Sequence, residues 1–533
     1  MKLNPITLEI LWQRLISAAD EAGAALLRSS FSTIVRESFD FACIITDTRG
    51  RSIAQASESI PSFIGTLPRT VKHFLTHFPL ETLREGDILV TNDPWMGTGH
   101  LPDLSLCKPI FFHGRVIGMV ATTAHAPDMG GKTGSADVRD VFEEGLQVPM
   151  MKLMDAGHMN DTLMTMLRAN TRVPDQVIGD VFAQIAGLQL LEKSAIEITH
   201  EHGFETLDVL ADEIIARTEK AMREAITQFP DGRYTYALQA DGLRDPLTLK
   251  VAIEVVGDAI QVDYTGSSPQ VDRGINVALC YTASQTAYAL KCLLSPDLPN
   301  NEGALAPIQV SAPEGSILNH TYPASGQSRT LVGHFLPFLI FGAFAQVAPT
   351  RIMSGAGSPL WSMQVTGQNN AGETFVNKIF FNGGAGATYN RDGYAALSWP
   401  SNVSNVPIEM TEQQSPLRYM YKRLRPSSGG TGQFRGGLGQ EALLHHAGDK
   451  PVVVGFHAER TKIPAPGVCG GGAGATGQLK LNGQVLSPAE QKRQHVIHPG
   501  DEIYLATPGG GGFGEPAQRD CALSNRDVEL QYC

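Results

Sequence analysis

Apolar residues near the start of the chain recur at Ile10, Leu11, Leu15, Ile16, Ala19, Ala22 and Leu26, a helical period that predicts a helix over residues 6–28, ending before Ser29-Ser30. The period then shortens to that of strands. Residues 41–46 and 51–56 flank Asp47-Thr48-Arg49-Gly50, a hairpin signal that puts Asp40 at a strand entrance. Residues 105–112 and 116–123, rich in β-branched side chains, predict a second hairpin about His113-Gly114. Helical spacing returns over 66–78 and 161–200, the latter broken before Pro174 around Arg168, Asn170 and Arg172. From Gly232 the texture is one of short alternating runs, such as 247–255 and 260–264, with helices near 281–294 and 331–347. Residues 452–513 are strand and turn, with glycine clusters at 470–474 and 509–512. The expected fold is α+β and multidomain: an N-terminal mixed α/β region over 1–230, a β-rich region with inserted helices over 231–450, and a β-rich, glycine-rich region over 451–533.

Composition narrows the class. At 533 residues and 42% hydrophobic, the chain can form two or three cored domains, and 18% charged residues with 55 glycines describe a loop-rich globular protein. A net charge of -12 argues against a nucleic-acid footprint. Seven cysteines, odd in number and without CxxC spacing, indicate neither a disulfide framework nor a thiolate zinc site, so a reducing cytoplasm is the expected setting. The N-terminus lacks the order of a signal peptide. Residues 331–347 alone resemble a membrane span, but they are short and hold His334, Pro337 and Gly342, so a buried helix and no membrane association are expected.

The chemistry concentrates in one segment, where T-N-D-P-W-M-G-T-G-H-L-P-D carries His100 and Asp103, and A-T-T-A-H-A-P-D-M-G-G carries His125 and Asp128. Imidazole with carboxylate suits Zn, Mn or Fe(II) better than Ca or Mg. A histidine near an aspartate in a loop is also an ordinary hydrogen-bonded pair, and this spacing is no established zinc signature. What favours a site is the bracketing by Gly97, Gly99 and Pro102, and by Pro127, Gly130 and Gly131, which lets loops aim side chains at one point. The hairpin between them brings His100 and His125 to the same end of a sheet.

Other motifs carry less. The run from Ala126 to Lys132-Thr133 approaches a phosphate loop, but Pro127 removes a needed N–H and Gly134 replaces a clean helix start. Pro508-Gly-Gly-Gly-Gly-Phe-Gly is expected to be a tight structural crossing or a subunit contact rather than an anion cradle. Asp263-Tyr-Thr-Gly-Ser-Ser, Ser325-Gly-Gln-Ser-Arg329 and residues 402–439 have the polar, glycine-punctuated texture of binding-face loops and equally of solvated turns. With no Gly-x-Ser-x-Gly elbow and no cysteine in a nucleophile setting, metal chemistry is the remaining candidate.

Taken together, I-T-L-E-I-L-W-Q-R-L, R-E-S-F-D-F-A, N-D-P-W-M-G-T-G-H-L-P-D, H-A-P-D-M-G-G, E-E-G-L-Q-V-P, L-R-A-N-T-R-V-P-D-Q, S-S-G-G-T-G-Q-F-R-G-G-L-G and T-P-G-G-G-G-F-G-E-P resemble the hydantoinase B/oxoprolinase family, related to components of acetone and acetophenone carboxylases. The resemblance implies a two-component hydrolase of cyclic amides, of hydantoin, oxoproline or lactam type. A hydantoinase A-type partner binds ATP and Mg and phosphorylates the substrate, and the B-type component holds a divalent transition metal, in a hetero-oligomer that includes a B–B contact. It implies Asp40, His100, Asp103 and His125 as metal ligands. The carboxylase branch, using activated bicarbonate, and a non-catalytic scaffold are the alternatives. Glu37 and Asp128, each three residues from an implied ligand, are candidates for orienting a ligand or moving a proton, or for capping a turn. Arg168 and Arg172 are candidates for clamping a carboxylate or phosphate, or for surface ion pairs. Lys132-Thr133 and the tail after Pro516 depart from the family pattern.

Overall fold

A computed structural model describes residues 4–132 and 134–533; Met1, Lys2, Leu3 and Thr133, and with them part of the Lys132-Thr133 departure, lie outside the described residues. The first helix, Pro5–Ser29, starts where Asn4 accepts the Ile6 amide at 3.0 Å and Pro5 presets the backbone. Of the predicted stripe, Leu11, Leu15, Ala19, Ala22 and Leu26 are buried, together with Leu8, and Ile16 is half-buried, whereas Ile10 faces outward and is exposed. The helix packs on a seven-stranded antiparallel sheet of β1 (Phe41–Thr46), β2 (Ser52–Gln55), β3 (Ile88–Thr91), β4 (Asp103–Phe112), β5 (Arg115–His125), β6 (Met151–Asp155) and β7 (His158–Met159), ordered β2-β1-β5-β4-β3-β6-β7. All of β1 is buried, and with it nearly all of β4 and β5. Helices Pro5–Ser29, Phe63–His77 and Pro174–His202 cover the sheet.

The β4–β5 hairpin is the element on which the site depends. It turns at His113, whose φ of 49° is left-handed, and Gly114, and its register sets Asp103 opposite His125. On the far side of β5, β1 pairs Phe41 with Ala124. Asp40, one residue earlier, therefore reaches the same sheet end. Phe39, at φ 60°, turns the chain into that strand.

Two further hydrophobic clusters complete the molecule. One lies under a sheet of β8 (Gly232–Ala240), β9 (Leu247–Val256), β10 (Ala259–Asp263) and β11 (Ile308–Ser311), packed with helix Leu279–Leu294. Residues 331–347, expected as one buried helix, are largely buried but form two, Thr330–Gly333 and Leu336–Phe344, parted around His334 and Phe335. Among the described residues no helix is long and apolar enough to cross a membrane. The other cluster lies between two sheets, one built on β12 (Trp361–Gln368) and β13 (Thr374–Phe381) with strands Val452–His457 and Gln494–Ile497. The architecture is thus multidomain α+β, as expected. Helix Asp208–Ile226, which the spacing of the sequence did not single out, buries Leu210, Ala211, Ile214, Ile215 and Met222 at helical spacing.

The Pro508 to Gly514 run forms a tight crossing. Gly509, Gly510, Gly511 and Gly512 donate to the carbonyls of Ala475, Gly437, Gly355 and Gly472, and the carbonyls of Pro508 and Gly511 accept from Gly384 and Ala387. Bonds three residues apart on this segment reach residues three apart on one neighbour, which is the repeat of a polyproline II helix and not the period of two of a strand. The chains approach so closely that a Cβ on Gly511 would stand 2.1 Å from the Pro466 carbonyl oxygen. Gly187, inside helix Pro174–His202, has as its nearest neighbour the Ala22 carbonyl oxygen at 3.5 Å, an ordinary contact. Gly511→Ala is accordingly expected to cost about 3 kcal/mol, and Gly187→Ala to stabilise by about 0.5–1 kcal/mol through helix propensity. Equal denaturant midpoints for the two variants would contradict this packing.

Candidate metal centre

Three neighbouring strand ends and one loop meet at a single point. Asp103 opens β4, His125 closes β5 and its amide donates to the Asp40 carbonyl at 3.1 Å. His100 comes from the preceding loop, which is held by Asn92, whose amide nitrogen donates to the carbonyls of Leu101 and Leu146. At Gly99, φ is 101° and a Cβ would sit 2.8 Å from Arg329 Cδ, so the loop bracketing read from the sequence has a steric cause at this position.

His100, Asp103 and His125 offer ligand atoms that all lie within 4.8 Å of one another, and each residue is buried. His100 Nδ1 is 3.0 Å from the Gln327 carbonyl, which only accepts, so Nδ1 carries the proton and Nε2 a lone pair. That lone pair stands 2.9 Å from Asp103 Oδ1, yet Nε2 makes no hydrogen bond. His125 Nδ1 lies 2.9 Å from the same oxygen. Thr98 Oγ1 and Arg329 Nη2 donate to Asp103 Oδ2, the latter at 2.9 Å, and fix the carboxylate plane. Asp40 Oδ2 is 3.8 Å from His125 Nδ1.

The electrostatics follow from burial. His100 and His125 are both held below the usual imidazole range, His125 at about 3, because burial and the nearby cations Arg329 and Lys378 disfavour the imidazolium. Burial alone raises Asp103, but His100, Arg329 and the hydrogen bonds outweigh it and leave the carboxylate well below its ordinary range. Asp40 is pushed up to about 7 by burial and by Asp103. Neutral imidazoles facing an ionised carboxylate are the protonation states a divalent ion requires. A lone pair facing a carboxylate oxygen, with a second carboxylate nearby, is a donor set that a cation would satisfy.

The remaining candidates are placed differently. Asp128 lines the same cavity, but its carboxylate accepts from Gly130 N, from the Arg172 amide and from Arg172 Nη1 at 2.6 Å, and so ties two loops together. Arg172 is thereby engaged with Asp128 and the Gly131 carbonyl. Arg168 pairs with Asp175 at the surface, and Glu37 pairs with Arg36 and does not line the cavity. Lys132 is spent on Asp137.

Four residues to which the sequence reading gave no role also line the cavity, which encloses about 90 Å³. Arg329 follows the Ser-Gly-Gln-Ser run noted for its texture alone. Lys378 interrupts the apolar strand β13 and brings Nζ to 3.4 Å from His125 Nε2. His457 bridges Ser362 and Ser328. Glu144, of the E-E-G-L-Q-V-P motif, accepts from Ser325 Oγ and Gly326 N, and burial pushes it up to about 7. A lysine within a largely apolar strand was the available signal for Lys378.

This arrangement sits in a fold already known among solved proteins. The sequence profile of the hydantoinase B/oxoprolinase family matches residues 4–516, and the chain belongs to that family. A Pseudomonas sp. (strain NS671) protein, named as the B-type component of a D-/L-hydantoinase, is 33% identical over 545 residues, covering 97% of this chain and 91% of its own. The beta chain of the Pseudomonas jessenii caprolactamase is 28% identical, covering 99% and 93%. The crystal structure of the ATP-dependent caprolactamase from that organism superposes with a TM-score of 0.91 at 25% identity, over 100% of this chain and 95% of the other. Acetone carboxylase in its nucleotide-free structure shares the fold, at a TM-score of 0.89 and 20% identity over 99% and 78%.

Asp128 is expected to act on stability and not on ligand capture. Asp128→Asn, which strips Arg172 of its buried partner, should cost about 3 kcal/mol in denaturant unfolding while leaving metal content at the wild-type level. Metal loss with unchanged stability would reverse that assignment.

Proposed function

We propose that this chain is the metal-dependent component of a two-component, ATP-dependent amidohydrolase that opens a cyclic amide after an A-type partner has phosphorylated it. The observation that carries the reading is the convergence of His100, Asp103 and His125 on one buried point at the end of the β4–β5 hairpin, in a family whose named relatives include components of a hydantoinase and of a caprolactamase. Asp40 is the fourth ligand in this reading, one residue outside β1 and close to His125. Zn, Mn or Fe(II) suits two imidazoles with carboxylates. Such an ion supplies Lewis-acid polarisation of a substrate oxygen and lowers the pKa of a bound water.

The chain's own residues supply the rest. The Gln327 carbonyl fixes the His100 tautomer with Nε2 directed at the site, and Thr98 and Arg329 orient Asp103. The β4–β5 register holds Asp103 and His125 opposite one another without reliance on loop order. Glu144 fastens the 325–329 segment beside the loop of His100. Burial of all these groups limits water, so charges developing on a substrate act at low dielectric. Binding of ATP belongs to the partner in this reading, consistent with Lys132 being paired to Asp137.

His100→Ala and Asp103→Ala are each expected to abolish metal content, read by elemental analysis, and turnover with the partner, while circular dichroism and partner binding are retained. Full turnover by metal-depleted His100→Ala protein would end the reading. The chain without its partner is expected to hydrolyse no ATP. Reconstituted with the partner, it should couple ATP turnover to a hydantoin or lactam and not to a ketone with bicarbonate; coupling to the ketone would assign it to the carboxylase branch.

A further inference from the structure

Two cationic side chains of the cavity remain under-used. Arg329 is buried, with 4% of its side chain exposed. Nη2 serves Asp103 and the guanidinium lies 4.5 Å over the Tyr281 ring, but Nε and Nη1 have no hydrogen-bond partner. A guanidinium only donates, and leaving its buried N–H groups unpaired is costly. Lys378 reaches in from β13, touching His125 Nε2 and forming no ion pair among the described residues. Both cations line the space that Asp40, His100, Asp103 and His125 also line.

A third donor comes from the same wall. His457 Nδ1 is 3.1 Å from Ser362 Oγ, and its Nε2 is 2.8 Å from Ser328 Oγ. A neutral imidazole donates through one nitrogen and accepts through the other, so one of the two hydroxyls keeps its own hydrogen for another acceptor in either tautomer. The donors thus arise around 328–329, at 378 and, in the tautomer that leaves the Ser362 hydroxyl its hydrogen, at 362. A planar carboxylate presents two oxygens in one plane, whereas a phosphoryl group presents three non-bridging oxygens arranged tetrahedrally and carries more charge. The second shape accepts outside a single plane and carries the larger charge, so it better matches donors on different walls and offsets two neighbouring cations more fully.

We propose that Arg329 and Lys378, with a hydroxyl of the Ser328–His457–Ser362 chain, form a phosphoryl-binding site beside the His100, Asp103 and His125 cluster. The group bound is the phosphoryl of an activated substrate or the inorganic phosphate it releases. The inference rests on the amidohydrolase reading for its substrate, but its test is independent of turnover. Arg329 here is also a positioning residue, since the same guanidinium holds Asp103; Lys378 is the cleaner probe.

The experiment is calorimetric titration of inorganic phosphate into the full chain, for wild type, Lys378→Met and Lys378→Arg, with metal content measured on the same samples. Wild type should bind phosphate, Lys378→Met should bind it about tenfold more weakly, and Lys378→Arg, which keeps the charge, should retain binding, all at equal metal content. Acetate should fail to displace phosphate at matched concentration. No phosphate binding by wild type, an unchanged affinity in metal-replete Lys378→Met, or equal displacement by acetate would overturn the proposal. If Lys378→Met does not fold, the wild-type titration and the acetate competition decide it. Failure of the amidohydrolase reading shows elsewhere, as absent metal or absent ring opening with the partner, while phosphate affinity stands.

Discussion

A carboxylate taken out of water loses hydration worth several kcal/mol even after its surroundings relax, and Asp103, 1% exposed, is such a group. Its surroundings are organised to offset that loss. Arg329 and Thr98 hold one oxygen, and His100 and His125 crowd the other. The second oxygen is the unsettled one, because the His100 nitrogen facing it is an acceptor. Removing Asp103 would therefore disturb more than a ligand: Arg329 would lose its anion and His125 its neighbour. The hairpin register, the Gly99 turn and the approach of the 325–329 segment all serve to make this one buried charge tolerable.

The groups around Asp103 come from all three hydrophobic clusters. The sheet of β1, β4 and β5 belongs to the first, the segment leading into helix Thr330–Gly333 to the second, and β13 with His457 to the third. Strands from either side of residue 450 share a sheet, since β12 pairs with Val452–His457. The cavity is consequently a property of the assembled chain, and a shift of one cluster against another would move Lys378 or Arg329 relative to the histidines without touching their own strands.

Sequence alone made the N-terminal elements legible because their periods are clean. The first helix, the hairpin about Asp47 to Gly50 and the hairpin that carries Asp103 and His125 all follow from spacing and turn chemistry. Asp40 was different: nothing in local spacing links it to residue 125, and only family resemblance brought it in. Arg329, Lys378 and His457 were illegible for a related reason, since each sits more than 200 residues from His100 in sequence or in a run whose texture suggests a turn. Asp128 misled in the opposite sense. Its spacing from His125 invited a chemical role, whereas its oxygens are taken up by Arg172 and Gly130.

The crossing at Gly509 to Gly512 has an optical consequence. A threefold, hydrogen-bonded bundle of extended glycine chains has neither the amide geometry of a helix nor that of a pleated sheet. Far-ultraviolet dichroism would assign much of it to unordered chain, although its amides donate to three separate segments, at 355, at 437 and over 472–475. Hydrogen exchange would rank the same amides among the protected ones. For this protein a spectroscopic helix and strand content understates the ordered fraction, and the shortfall is a measure of the glycine bundle itself.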